Sequence, residues 1–208
     1  MTVKSWARVA LIGIPVYVVL DVVAQLLSTR FGIRQAESLL AISGPFGFLM
    51  NINFLVRGVL SIAVVIALSK HIGQIGASVG YKTGRVLFLI WAGAALLLAF
   101  FNCDDVSPAV TFHGKMHVLL GAAAFIAAPI GILLISISFR KVAQLKSIWV
   151  PALVISILDI VVFLALYMKK FVHVSGIVER IGIGLVLVWV GIVAWRLYRL
   201  GRLPSARV

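Results

Sequence analysis

The chain has 208 residues, 62% of them hydrophobic and 12% charged, with nineteen Lys and Arg against six Asp and Glu. A soluble globular chain carries roughly one quarter charged residues, so this composition excludes that class. The net charge of +13 does not point to nucleic acid, because the basic residues stand at the ends of apolar runs, where they set topology and touch anionic headgroups.

Stretches of about 20 residues with almost no charge recur along the chain, each long enough for a hydrocarbon core of about 30 Å. They predict an all-α bundle of six transmembrane helices, a single domain over residues 1–208. "MTVKSWAR" and the apolar run after it resemble a signal sequence, but the run is too long and no A-x-A-like cleavage site follows. It reads as an uncleaved first span, Ala7 to Ser28, with Pro15 inside it. "AESLLAIS" (Ala36 to Ser43) reads as a short interfacial helix before the second span, Pro45 to Leu68. The third span is placed at Arg85 to Cys103, and the fourth at His113 to Phe139 with Pro129 inside it. Ser147 to Met168 and Gly176 to Leu200 complete the set. Pro45 and Pro151 lie near helix starts, where a missing N–H costs nothing. The single cysteine, Cys103, excludes an internal disulfide.

Orientation follows from the loops. Lys4, Arg8, Lys70, Lys82, Arg85, Arg140, Lys141, Lys146, Arg196, Arg199, Arg202 and Arg207 fall on one side. Arg30, Arg34, Lys115, Lys169, Lys170 and Arg180 fall on the other. The richer side is expected in the cytoplasm, with both termini, and the protein in a prokaryotic inner or plasma membrane with lipids as its partners. Trp6, Trp91, Trp149 and Trp195 fall near that side, as an aromatic belt would.

Ionisable groups inside spans are the most informative residues. Asp21, Arg57 and Asp159 are each flanked by aliphatic sequence, and a charge at a helix centre costs roughly 2.5–3.5 kcal/mol on insertion scales. Such residues face the bundle and find partners. Arg57 between two aspartates is the expected cluster, with Gln25, Asn53 and Ser156 on the same helix faces. A structural ion-pair network and a ligand-binding or proton-handling site predict the same proximity. Access for water and ligand separates them.

"FNCDDVSPAVTFHGKMH" (101–117) puts two acids, the cysteine and two histidines in one outer loop and helix start. His113 and His117 are four apart and share a helix face, a spacing that suits a metal if Asp104, Asp105 or Glu179 supplies oxygen. HxxxH alone is common by chance, so no cofactor is expected and a metal ion is the secondary reading. A b-type haem takes axial histidines that commonly come from different helices, and these two share one. Cys103 with a histidine base would make a nucleophile. No nucleophile elbow surrounds it, and it reads as a small residue ending a helix.

These residues resemble a family. "FNCDD" closing the third span, His117 early in the fourth and "GIVERIGIGLVLVW" opening the sixth are similar to the prokaryotic membrane family called domain of unknown function 998. The matching positions are Phe101, Cys103, Asp104, His117, Gly176, Glu179, Arg180 and Trp189, with Asn102 where the family usually has proline. The resemblance implies six helices and brings no known activity.

Asp104, His117 and Glu179 lie at the outer face and Asp21 a little below it, so a bundle brings them to one outward-opening pocket floored by Arg57 and Asp159. The leading expectation is that this pocket binds or passes a small polar molecule or lipid headgroup. The rivals are a metal-dependent intramembrane hydrolase, with His113, His117 and an acid holding the ion, and an accessory subunit of a membrane complex.

Overall fold

In hydrocarbon a backbone must close its own hydrogen bonds, which leaves the helix as the form open to these apolar runs. The computed structural model describes residues 1–72, 78–166, 168 and 173–201. Its long helices are α1 (Val3–Leu27), α2 (Phe48–Ile72), α3 (Val79–Leu98), α4 (Phe112–Phe139), α5 (Trp149–Leu166) and α6 (Ser175–Leu200). All six are long and apolar enough to cross a membrane, and no strand occurs among the described residues. Lys169, Lys170, Arg202 and Arg207, counted above for orientation, lie outside the described residues.

The helix ends follow from local chemistry. α3 begins earlier than its apolar run because the Ser78 hydroxyl accepts the Tyr81 amide at 3.2 Å, which takes Lys82 and Arg85 into the helix. It also stops short of Cys103. Residues 101–111 form a connection built around Asp104 instead. The Thr111 hydroxyl accepts the Gly114 amide at 2.9 Å and caps α4.

Successive helices pack side by side round the bundle, and α6 closes the ring on α1 while also reaching α2 and α4 across the interior. Small residues permit the closest approach. A Cβ on Gly84 would lie 2.8 Å from the Gly131 carbonyl oxygen, so α3 and α4 touch backbone to backbone. Phe88, Trp91, Phe139 and Trp189 fill the interior. With no water at that depth, their indole N–H groups need partners from other helices. Trp91 Nε1–H donates to Ser61 Oγ at 3.2 Å, and Trp189 Nε1–H to Ser136 Oγ at 2.8 Å. Val18, Val19 and Val22 on α1 and Ile157 and Val161 on α5 face outward, as residues meeting lipid would.

All six acidic residues of the chain lie toward one end of the bundle, the acidic end, with the α1–α2 and α3–α4 connections. There the α1–α2 connection folds back over the helices through a short 3-10 helix, Glu37–Ile42. It rests on α6 at Gly176, whose amide donates to the Arg34 carbonyl at 2.9 Å. A Cβ on Gly176 would stand 1.7 Å from the Gln35 carbonyl oxygen, so any side chain pushes the connection away. Gly176→Ala should therefore lower stability in detergent by about 1–3 kcal/mol, the usual cost of overpacking. Gly121→Ala on α4, where nothing lies within 4 Å, serves as the comparison. Equal melting temperatures for the two variants would show that the connection is not seated on α6 as described.

Candidate functional site

The acidic end is assembled by the α1–α2 connection. The Ser28 and Gln25 side chains hold the first turn by donating to the Phe31 carbonyl at 3.0 and 2.9 Å. Arg180 of α6 then takes the next stretch, donating from Nη1 to the carbonyls of Ile33 (3.1 Å) and Gln35 (3.2 Å) and from Nη2 to Gln25 Oε1 (3.0 Å). Its Nε lies 3.8 Å from Asp21 Oδ2. Beyond Gln35 the chain turns inward. The Glu37 amide donates to Glu179 Oε2 at 3.0 Å, and the Glu37 carboxyl, 1% exposed, accepts the Tyr17 hydroxyl at 2.5 Å. Burial, reinforced by the Asp21 charge and partly offset by Arg57, pushes the Glu37 carboxyl up to about 8.

Arg57 and Asp159 do not form the expected cluster with Asp21. Arg57 is buried, 2% exposed, but among the described residues no carboxylate lies within salt-bridge distance of it. Its guanidinium lies over the rings of Trp91 (4.7 Å) and Phe54 (5.1 Å). Such contacts contribute about 2 kcal/mol when desolvated. Asp21 instead meets Arg180, because its side of α1 packs on α6. Arg57 still acts on Glu37 through space. Asp159, 4% exposed, stands apart with Oδ2 unpartnered. It lines a cavity of about 10 Å³ with Trp91, Phe125, Pro129, Glu179 and Gly182, room for about one water.

Asp104 and His117 are engaged locally. The Asp104 carboxylate accepts the amides of Val110 (2.7 Å) and Thr111 (2.9 Å) and the Thr111 hydroxyl (2.6 Å). Those hydrogen bonds hold its carboxyl below the usual carboxylate range. This acid organises its loop and has little capacity left for a ligand. His117 Nδ1 lies 2.7 Å from the Phe101 carbonyl. A carbonyl only accepts, so Nδ1 carries a hydrogen, which in the neutral ring leaves Nε2 with its lone pair. His113 is exposed and packs against Phe101 and Phe112. Among the described residues no three His, Cys, Asp or Glu side chains come together to hold a metal, so the helix-face pair His113 and His117 acquires no third ligand. Cys103 donates its thiol to the Ser38 carbonyl at 3.3 Å, and burial pushes that thiol up, against a nucleophile's needs.

Two surface cavities at the acidic end flank residues 36–39. One, about 290 Å³, is lined by Ser38, Cys103, Asp105 and His117; the other, about 430 Å³, by Arg34, Gln35, His173 and Ser175. Ala36 and Leu39 border both. Arg30 pairs with Asp105 at the rim.

Of the six residues read from sequence as binding a ligand, Asp21 and Glu179 belong to the Glu37 cluster and Arg57 borders it. His117 lines a surface cavity, Asp104 builds its wall, and Asp159 lies apart. Glu37 and Tyr17 carry no expectation from sequence, and Arg180 was expected as a loop charge and a position of the family resemblance, not as a site residue. A lone acid in the apolar stretch "AESLLAIS" was the available signal for Glu37. For Tyr17 there was none.

Six apolar helices closed into a ring around a polar end make this chain a multi-pass membrane protein. The model of the family described as "Protein of unknown function (DUF998)" matches residues 11–196, and the chain belongs to that family. No curated protein and no solved structure matches it.

Asp159 supplies a direct check on this geometry. Leaving a buried polar group unpaired costs about 1–3 kcal/mol, so Asp159→Leu should leave the melting temperature in detergent unchanged or raise it. A marked fall would mean that Asp159 has a partner.

Proposed function

We propose that this protein is a membrane binding protein whose acidic end faces out of a prokaryotic cell and takes a small polar molecule or a lipid headgroup. The observation that carries this reading is the pair of outer cavities on either side of residues 36–39, above the buried Tyr17–Glu37–Glu179 group. Ligand sites are concave, with a few polar groups at fixed positions. Here those groups are His117 and Ser38 in one cavity and Arg34 and His173 in the other. Donors and acceptors of both signs suit a ligand that itself carries both. An apolar ligand would have no use for them.

The outward orientation rests on the excess of Lys and Arg at the opposite end. Reporter fusions test it. Alkaline phosphatase should be active when fused at residue 108 and inactive at residue 144, and the reverse result would turn the molecule over.

Binding is tested on protein purified in mild detergent and examined by native mass spectrometry before and after delipidation. A retained small polar species or phospholipid is expected, and the variant of the cavity that holds it, His117→Ala or Arg34→Ala, should reduce its occupancy at least about tenfold, equivalent to about 1.4 kcal/mol. A lipid and a soluble metabolite are told apart by mass. Equal occupancy in wild type and both variants would remove the cavities as the site.

A further inference from the structure

Two carboxyl oxygens at the centre of the acidic end have no hydrogen-bond partner among the described residues although both are closed off from solvent: Glu37 Oε2 and Asp21 Oδ1. Asp21 stands one turn along α1 from Tyr17, on the helix face whose Tyr17 hydroxyl meets Glu37, and the Asp21 charge acts on the Glu37 carboxyl. Ionised carboxylates are acceptors only, so a hydrogen bond between them requires a proton on one. The Tyr17 hydroxyl already donates to Glu37 Oε1, which leaves Oε2 as the oxygen facing that need.

The surrounding charges point the same way. From α1 come Tyr17 and Asp21, from α2 Arg57, and from α6 Glu179 and Arg180. The α3–α4 connection contributes the Cys103 thiol, which is spent on the Ser38 carbonyl. Three ionised acids against two guanidiniums leave one unbalanced negative charge in a buried site. One proton removes it. Two carboxyls held this close in a low-dielectric environment do not both ionise.

We infer that Asp21 and Glu37 share one dissociable proton and together form a proton-binding site at the acidic end, whatever ligand the outer cavities take. The value of about 8 for Glu37 keeps that proton in place at neutral pH. The carboxyl is raised in the folded protein, so its contribution to stability is full below the ordinary 4.5 and is lost as pH rises through about 8.

The test is infrared titration of the whole protein in phospholipid vesicles, following the C=O stretch of a protonated carboxyl. A band present at neutral pH and lost near pH 8 is expected, removed by Asp21→Asn and by Glu37→Gln and left in place by Asp159→Asn. A band that survives both of the first two changes, or follows Asp159 instead, overturns the assignment. So does the absence of any such band in the wild type. Should neither cluster variant fold, Asp159→Asn decides: its melting temperature should still fall as pH rises across the interval from about 4.5 to about 8, and a flat profile in that variant sinks the proposal.

Discussion

One guanidinium ties the acidic end together. Arg180 donates to two carbonyls of the α1–α2 connection, to Gln25 on α1 and to the Gly176 carbonyl of its own helix, beside the Asp21 carboxylate. A planar fork with five N–H donors can make these bonds at once, which an ammonium on a flexible stem cannot reproduce. The fork joins the first and last spans and lays the intervening connection over them. Glu37 reaches Glu179 and Tyr17 because residues 33 to 35 are already fastened.

Buried Arg57 and partly buried Arg180 show different solutions to one problem. Arg180 is satisfied by oxygen, from carbonyls, an amide and a carboxylate. Arg57 is satisfied mainly by aromatic faces, with Nε unpartnered and the carboxylates acting on it only through space. The difference follows from position. Arg180 lies one turn from the end of its helix, within reach of carbonyls in a connection, whereas Arg57 lies deeper, about 14 Å along α2, where neighbouring backbone is already hydrogen-bonded within helices.

This geometry also gives a structural role to the short motifs that resemble the family pattern. In "GIVER", Gly176 admits the crossing backbone, Glu179 receives the Glu37 amide and Arg180 holds residues 33 to 35. In "FNCDD", the Phe101 carbonyl orients His117, Cys103 fastens Ser38 and Asp104 closes its own loop. Both motifs are fasteners of connections. The cavities proposed to take a ligand lie between the connections they hold.

Six spans, their order and the interfacial turn at residues 36–43 were legible in the sequence, because hydrocarbon thickness and backbone self-satisfaction act on every local stretch alike. So was the burial of Arg57 and Asp159, since a charge amid aliphatic residues has few other places to go. Partner choice was not legible. Asp21 pairs with Arg180 rather than Arg57 because α1 packs on α6 as well as on α2, and the rotation of a helix about its axis is set by its neighbours. Asp159 faces a nearly dry cavity among α4, α5 and α6 for the same reason. Glu37 lies on a connection, where sequence suggests contact with water, and becomes buried only once that connection is laid across the bundle. Composition and periodicity are properties of one segment at a time; pairing in the interior is a property of how the segments are turned toward one another, and only the tertiary structure decides it.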